Sequence, residues 1–109
     1  MSGKSGSVSP TQKALKKLRA DGWPLVEITE RWNPFAKIRQ DLFGVIDVLA
    51  AGPEGLFGVQ ATSHHNVLER VKKIRGHDNL PHILAAGIRF EVWGFTKGTT
   101  APTRVEVIS

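Results

Sequence analysis

Between Arg39 and Asn66 the chain reads RQDLFGVIDVLAAGPEGLFGVQATSHHN, and some of its polar residues stand where an apolar strand would bury them. Asp47 interrupts the first apolar run; Gln60 lies at the comparable depth of the second, with Thr62 two residues further on. A polar group in a sheet interior is costly unless it is paired, hydrogen-bonded or bound to metal. One carboxylate, one amide oxygen and a neighbouring carbonyl form an oxygen ligand set suited to Mg²⁺ (or Mn²⁺). Such an ion polarises a phosphodiester and lowers the pKa of an attacking water. Alternate residues of a strand share a face, so a regular strand would put Asp41, Phe43, Val45, Asp47 and Leu49 together, with Asp41 as a second carboxylate. The plainer readings are that Asp47 is a strand-end carboxylate bonded to backbone amides or paired with Arg39, and that Gln60 makes a cross-strand hydrogen bond.

The elements that must position these residues can be read from pattern. Leu42 to Ala50 is near-continuously apolar, as in a central strand. Gly52-Pro53-Glu54-Gly55 supplies a turn, and Leu56 to Thr62 forms the next strand. Upstream, Ser9 caps and Pro10 opens a helix to about Asp21, ended by Gly22. Its apolar face carries Ala14, Leu15 and Leu18. Val26 and Ile28 alternate with polar residues and mark a half-buried strand from Trp23 to Arg31. Trp32-Asn33-Pro34 breaks it, and Phe35 to Gln40 reads as loop. Downstream, a helix from about His65 to Arg75 places Val67, Leu68, Val71 and Ile74 on its core face. A short helix, Leu80 to Ala86, precedes strands at Ile88 to Thr96 and Arg104 to Ile108. The order is helix, three strands, helix, strand, strand: an α/β domain over residues 9 to 109, behind a Gly- and Ser-rich arm at residues 1 to 8.

At 109 residues the chain fits one domain with one modest core. It has no cysteine, which excludes disulfides, thiolate zinc sites and a cysteine nucleophile. No apolar run has the roughly 20 residues needed to span a bilayer, so a soluble, intracellular (cytoplasmic) protein is expected. Fifteen Lys and Arg against ten Asp and Glu give a net charge of +5, a balance that favours a polyanionic partner such as nucleic acid. The candidate phosphate contacts are Lys13, Lys16 and Lys17 on the first helix, Arg39, Ser63, and Arg70, Lys72 and Lys73 on the second helix; the alternative is that they only solvate their elements. His64 and His65 lack metal-ligand spacing on a helix, and as neighbours are expected to face one inward and one outward. Trp23, Trp32 and Trp93 are expected in the core.

With IDVLA leading through a short turn into GVQATS, in this order of elements, the chain resembles the PD-(D/E)XK nuclease superfamily, and within it the small Holliday junction resolvase and phage nuclease branches. The resemblance covers roughly residues 10 to 96. It implies a restriction-endonuclease-like core, a central mixed sheet of about five strands flanked by helices. It also implies a Mg²⁺-dependent endonuclease acting on branched DNA in recombination, a homodimer, and a phage-encoded protein working in a bacterial host. Asp47 matches the family's aspartate and Gln60 its acidic or glutamine position, while Thr62 stands where lysine is expected. Glu27 or Glu30 could join Asp41 in completing the metal site, and Lys72 or Lys73 could replace the missing lysine. The alternatives are a non-catalytic nucleic-acid-binding module on the same fold and a structural subunit of a larger assembly.

Overall fold

The computed structural model describes residues 8 to 109, so the expected N-terminal arm lies outside the described residues but for Val8. Helix α1 (Pro10–Ala20) starts where Ser9 Oγ accepts the N–H of Gln12, and the chain turns out of it at Gly22 with φ of +95°. Strand β1 (Leu25–Ile28) is followed by a hairpin of β2 (Arg31–Asn33) and β3 (Ile38–Gln40). Strands β4 (Val48–Gly52) and β5 (Gly55–Ser63) form a second hairpin across the expected Gly-Pro-Glu-Gly turn. A 3-10 turn (His64–Asn66) leads into α2 (Val67–Arg75), then α3 (Leu80–Ala85), β6 (Arg89–Phe95) and β7 (Arg104–Ile108).

The result is an α/β fold around a five-stranded mixed sheet in the order β1-β4-β5-β6-β7. All neighbours are antiparallel except β5 and β6, which run parallel across the α2–α3 crossover. Side-chain alternation divides the core into two layers. Ala14, Leu15 and Leu18 of α1 pack on Val48, Ala50, Phe57, Val59 and Trp93. On the opposite face, Val67 and Ile74 of α2 and Ile83 of α3 cover Ile46, Phe90, Val92 and Ile108. A Cβ at Gly94 would come within 2.9 Å of the His64 backbone, so only glycine lets the 3-10 turn lie this close to β6.

Four expectations need correction. First, Leu42 to Ala50 is not one strand, because Phe43 and Gly44 both have positive φ (+55° and +83°). They form a tight turn closed by the Leu42–Ile46 bridge, and β4 begins only at Val48. Second, Phe35 to Gln40 is not loop throughout. Asn33 Oδ1 accepts the N–H groups of Phe35 and Ala36, and Lys37 takes φ of +56°, so Asn33-Pro34 turns the chain back into β3. Third, Trp93 is buried and Trp23 packs on Phe57, but Trp32 is 57% exposed. Fourth, Leu68 is exposed rather than on the core face of α2, and neither His64 nor His65 faces inward. Among the described residues no helix is long and apolar enough to cross a membrane.

Candidate metal centre

Asp47 sits at the mouth of the β4–β5 ladder. Its N–H donates to the Val59 carbonyl, its carbonyl accepts from the Thr29 N–H, and its Oδ2 accepts from the Ala61 N–H at 2.9 Å. Two main-chain bonds and one to the carboxylate fix this residue between β5 and the end of β1, and it is only 4% exposed. Thr29 Oγ1 also donates to the Ile46 carbonyl at 2.7 Å, tying the end of β1 to the same point and delivering Glu30 beside it.

Asp41 arrives by a route that strand alternation does not describe. In the small hairpin Arg31 pairs with Gln40 and Trp32 with Arg39. One step beyond the last pair, the register sets Glu30 opposite Asp41. The Leu42–Ile46 turn then folds Asp41 back onto Asp47, with the Gly44 N–H donating to the Asp41 carbonyl. Asn79 Nδ2 holds the Phe43 carbonyl at 2.9 Å, and a Cβ at Gly44 would meet His77 Nε2 at 2.7 Å. The turn is thus clamped against the α2–α3 connection.

Carboxylate oxygens of Glu30, Asp41 and Asp47 all lie within 4.8 Å of one another. Burial, the hydrogen bond that the protonated Asp47 carboxyl donates to Asp41 and the nearby Asp41 charge push the Asp47 carboxyl up to about 8 from an ordinary 3.8; Glu30 adds to the rise, and the Ala61 N–H opposes it. Like charges this close cannot all ionise without a counter-charge, so a proton or a cation must neutralise the group. The donors are all oxygen, with no histidine or cysteine among them. Hard divalent cations fit such a set, and these three residues could hold a metal ion.

Gln60 Nε2 donates to the Val45 carbonyl at 2.8 Å, which is the structural bond expected of it, and its amide oxygen is not used in that bond. Gln60 and Thr62 share a sheet face and are both buried. Of the two glutamates considered, Glu30 joins the cluster, while Glu27 is exposed and outside it. Arg39 pairs with Glu30 at 3.2 Å, not with Asp47, and among the described residues it is the one cation in an ion pair with a cluster acid. Lys72 and Lys73 are exposed and make no ion pair with those acids. Sequence reasoning missed the hairpin that assembles Glu30 and Asp41; the Asx-type turn at Asn33-Pro34 was the available signal.

The remaining candidate phosphate contacts divide. Lys13, Lys16 and Ser63 meet around an open cleft of about 690 Å³ with Thr96, Lys97 and Thr100. Ser63 is the last residue of β5, so the cleft lies at the C-terminal end of that strand, on the α1 side of the sheet. Ser63 makes no side-chain cap; its Oγ accepts from Asn66 Nδ2. Lys13 donates to the Thr96 carbonyl and lies over the Phe95 ring. Lys17 is paired with Asp21, and Arg70 is half-buried on α2. No protein-family model, curated protein or solved structure matches the chain.

Proposed function

We propose that the chain is a metal-dependent DNA endonuclease with a restriction-endonuclease-like core, acting on branched DNA in the manner of a Holliday junction resolvase. The observation that carries this reading is the convergence of Glu30, Asp41 and Asp47 within 4.8 Å beside Gln60. The topology supports it: a helix, an antiparallel β1-β4-β5 meander, a crossover helix and a strand parallel to the third. That is the element order of the PD-(D/E)XK resemblance.

Asp47, Asp41 and Glu30 would hold Mg²⁺ or Mn²⁺, with the Gln60 amide oxygen orienting the ion or its water. When bound, the ion would polarise the phosphodiester and acidify the attacking water. The chain's own part is to keep Asp47 immobile, to exchange the cluster's proton for the cation, and to hold DNA phosphates on Lys13, Lys16, Ser63, Arg39 and the cations of α2. Two symmetric cuts in a junction require two sites, hence a C2 homodimer. The apolar face of α1 is spent in the core, which leaves an exposed edge strand to supply such an interface, β7 with Val105 and Val107 or β1 with Leu25.

A second reading, a non-catalytic nucleic-acid-binding module, is favoured by Thr62, a buried hydroxyl where the family has lysine. Incubation with a labelled four-way junction and with linear duplex, in Mg²⁺, Mn²⁺ or EDTA, separates the two. Metal-dependent cutting lost in Asp47→Ala supports the nuclease. Salt-sensitive binding with no cutting in any metal supports the module.

A further inference from the structure

The β2–β3 hairpin stands apart from the central sheet, and its residues 31 to 40, RWNPFAKIRQ, contain three cations and no acid. Trp32 is 57% exposed and Phe35, at the tip, 96%, while Ile38, 50% exposed and paired with Asn33, lies on the other face of the arm from Trp32. The register gives the Trp32 face a direction. Trp32 lies directly opposite Arg39, and two residues along each strand, on the same face, lie Glu30 and Asp41 of the carboxylate cluster. A strip therefore runs outward from the candidate metal centre, acids first, then an indole beside a guanidinium about 7 Å further on. Arg39 bridges the two, with its Nη1 3.2 Å from Glu30.

We infer that this face of the hairpin is a nucleotide-binding subsite, in which the Trp32 indole stacks on an unpaired base and the Arg39 guanidinium holds an adjacent phosphate. The inference rests on the nuclease reading for the identity of the polymer, and it names the part of the substrate that the site recognises. An indole face accepts any base, but only one that has left its pair. The arm thus selects single-stranded or branched DNA over continuous duplex. Arg39 also places a positive charge beside the acids where Thr62 offers none. Asn33 holds the hairpin in shape without a ligand, through bonds to Phe35, Ala36 and Gln40.

The test uses the full chain in EDTA, so that binding is read without cutting. The probes are a labelled single-stranded oligonucleotide, a four-way junction and a blunt duplex. Binding of single-stranded and branched DNA quenches tryptophan fluorescence, and Trp32→Phe removes most of that quench. Trp32→Ala weakens binding of those two probes by about tenfold or more, Trp32→Phe by less, and the blunt duplex is little affected. Arg39→Ala lowers the salt dependence by about one ion. Thermal melting of Trp32→Ala should match the parent, because the side chain is exposed. Single-strand affinity within about twofold of the parent in Trp32→Ala overturns the subsite, as does an equal loss on blunt duplex. A shift from dimer to monomer with unchanged DNA affinity also overturns it, and makes the arm a contact between copies. No cutting in any metal, with Trp32-dependent binding intact, removes the nuclease reading and leaves the subsite standing. Cutting with Trp32-independent binding does the reverse.

Discussion

The two hairpins of this protein use the same backbone device for opposite ends. The β4–β5 hairpin lies in the middle of the sheet, with Val48, Ala50, Phe57 and Val59 at 4% exposure or less. The β2–β3 hairpin lies off the sheet and leaves nearly every side chain in solvent. The first fixes Gln60 within the ladder and Asp47 at its mouth. The second carries Glu30 and Asp41 on its base and presents Trp32 and Arg39 beyond them. Fixed geometry thus comes from the buried hairpin and reach from the exposed one, and the carboxylate cluster forms where they meet.

That contrast can be broken by mutation. Phe57→Ala removes a ring packed between Trp23 and Trp93 and should cost about 3–5 kcal/mol in urea unfolding; a cost below about 1 kcal/mol would mean that the inner hairpin is not the scaffold. Gly44→Ala meets both a positive φ and His77. It should lose about 1–3 kcal/mol and weaken metal binding as well, because the turn that delivers Asp41 must shift. Calorimetric titration with Mn²⁺ would read the second effect. At the small end, Phe35→Ala, at the exposed tip, should change stability by no more than about 0.5 kcal/mol.

The charge of the cluster gives a pH test. The folded Asp47 titrates near 8 and the unfolded one near 3.8. Between these values the folded chain holds a proton that the unfolded chain has released, so unfolding releases a proton and rising pH favours it. Without metal, stability contributed by this group is complete below about pH 4 and falls toward pH 8, by at most about 1.4 kcal/mol per pH unit. Asp47→Asn should flatten that slope in melts across the range. Because a cation competes with the same proton, Mg²⁺ should raise the melting temperature more at pH 8 than at pH 6. An equal shift at both would separate metal binding from Asp47.

What was legible in the sequence follows from burial. The five central strands and three helices announce themselves because each hides one face, and hiding a face writes a period into the chain. Asp47 and Gln60 stood out as interruptions of that period. The β2–β3 hairpin buries almost nothing, so its two three-residue strands left no period, and Asn33-Pro34 read as the end of a strand rather than the turn of a hairpin. Strand alternation brings Asp41 to Asp47 only along an unbroken strand, and Gly44 inside the apolar run is the sign of a local break; the turn, not the alternation, brings the two together. Nothing in the pattern around Trp32 distinguishes it from a core tryptophan; its register position opposite Arg39 becomes visible only once the hairpin exists.

The most direct measurement is the initial rate of four-way junction cleavage by the full chain and by Asp47→Ala in Mg²⁺ and Mn²⁺. The parent should cut in both metals and not in EDTA. Asp47→Ala should be slower by about a thousandfold, since loss of a Lewis-acid contribution of several kcal/mol translates to that factor. Cutting by Asp47→Ala at the parent's rate, or no cutting by the parent in either metal, would contradict a nuclease centred on these carboxylates.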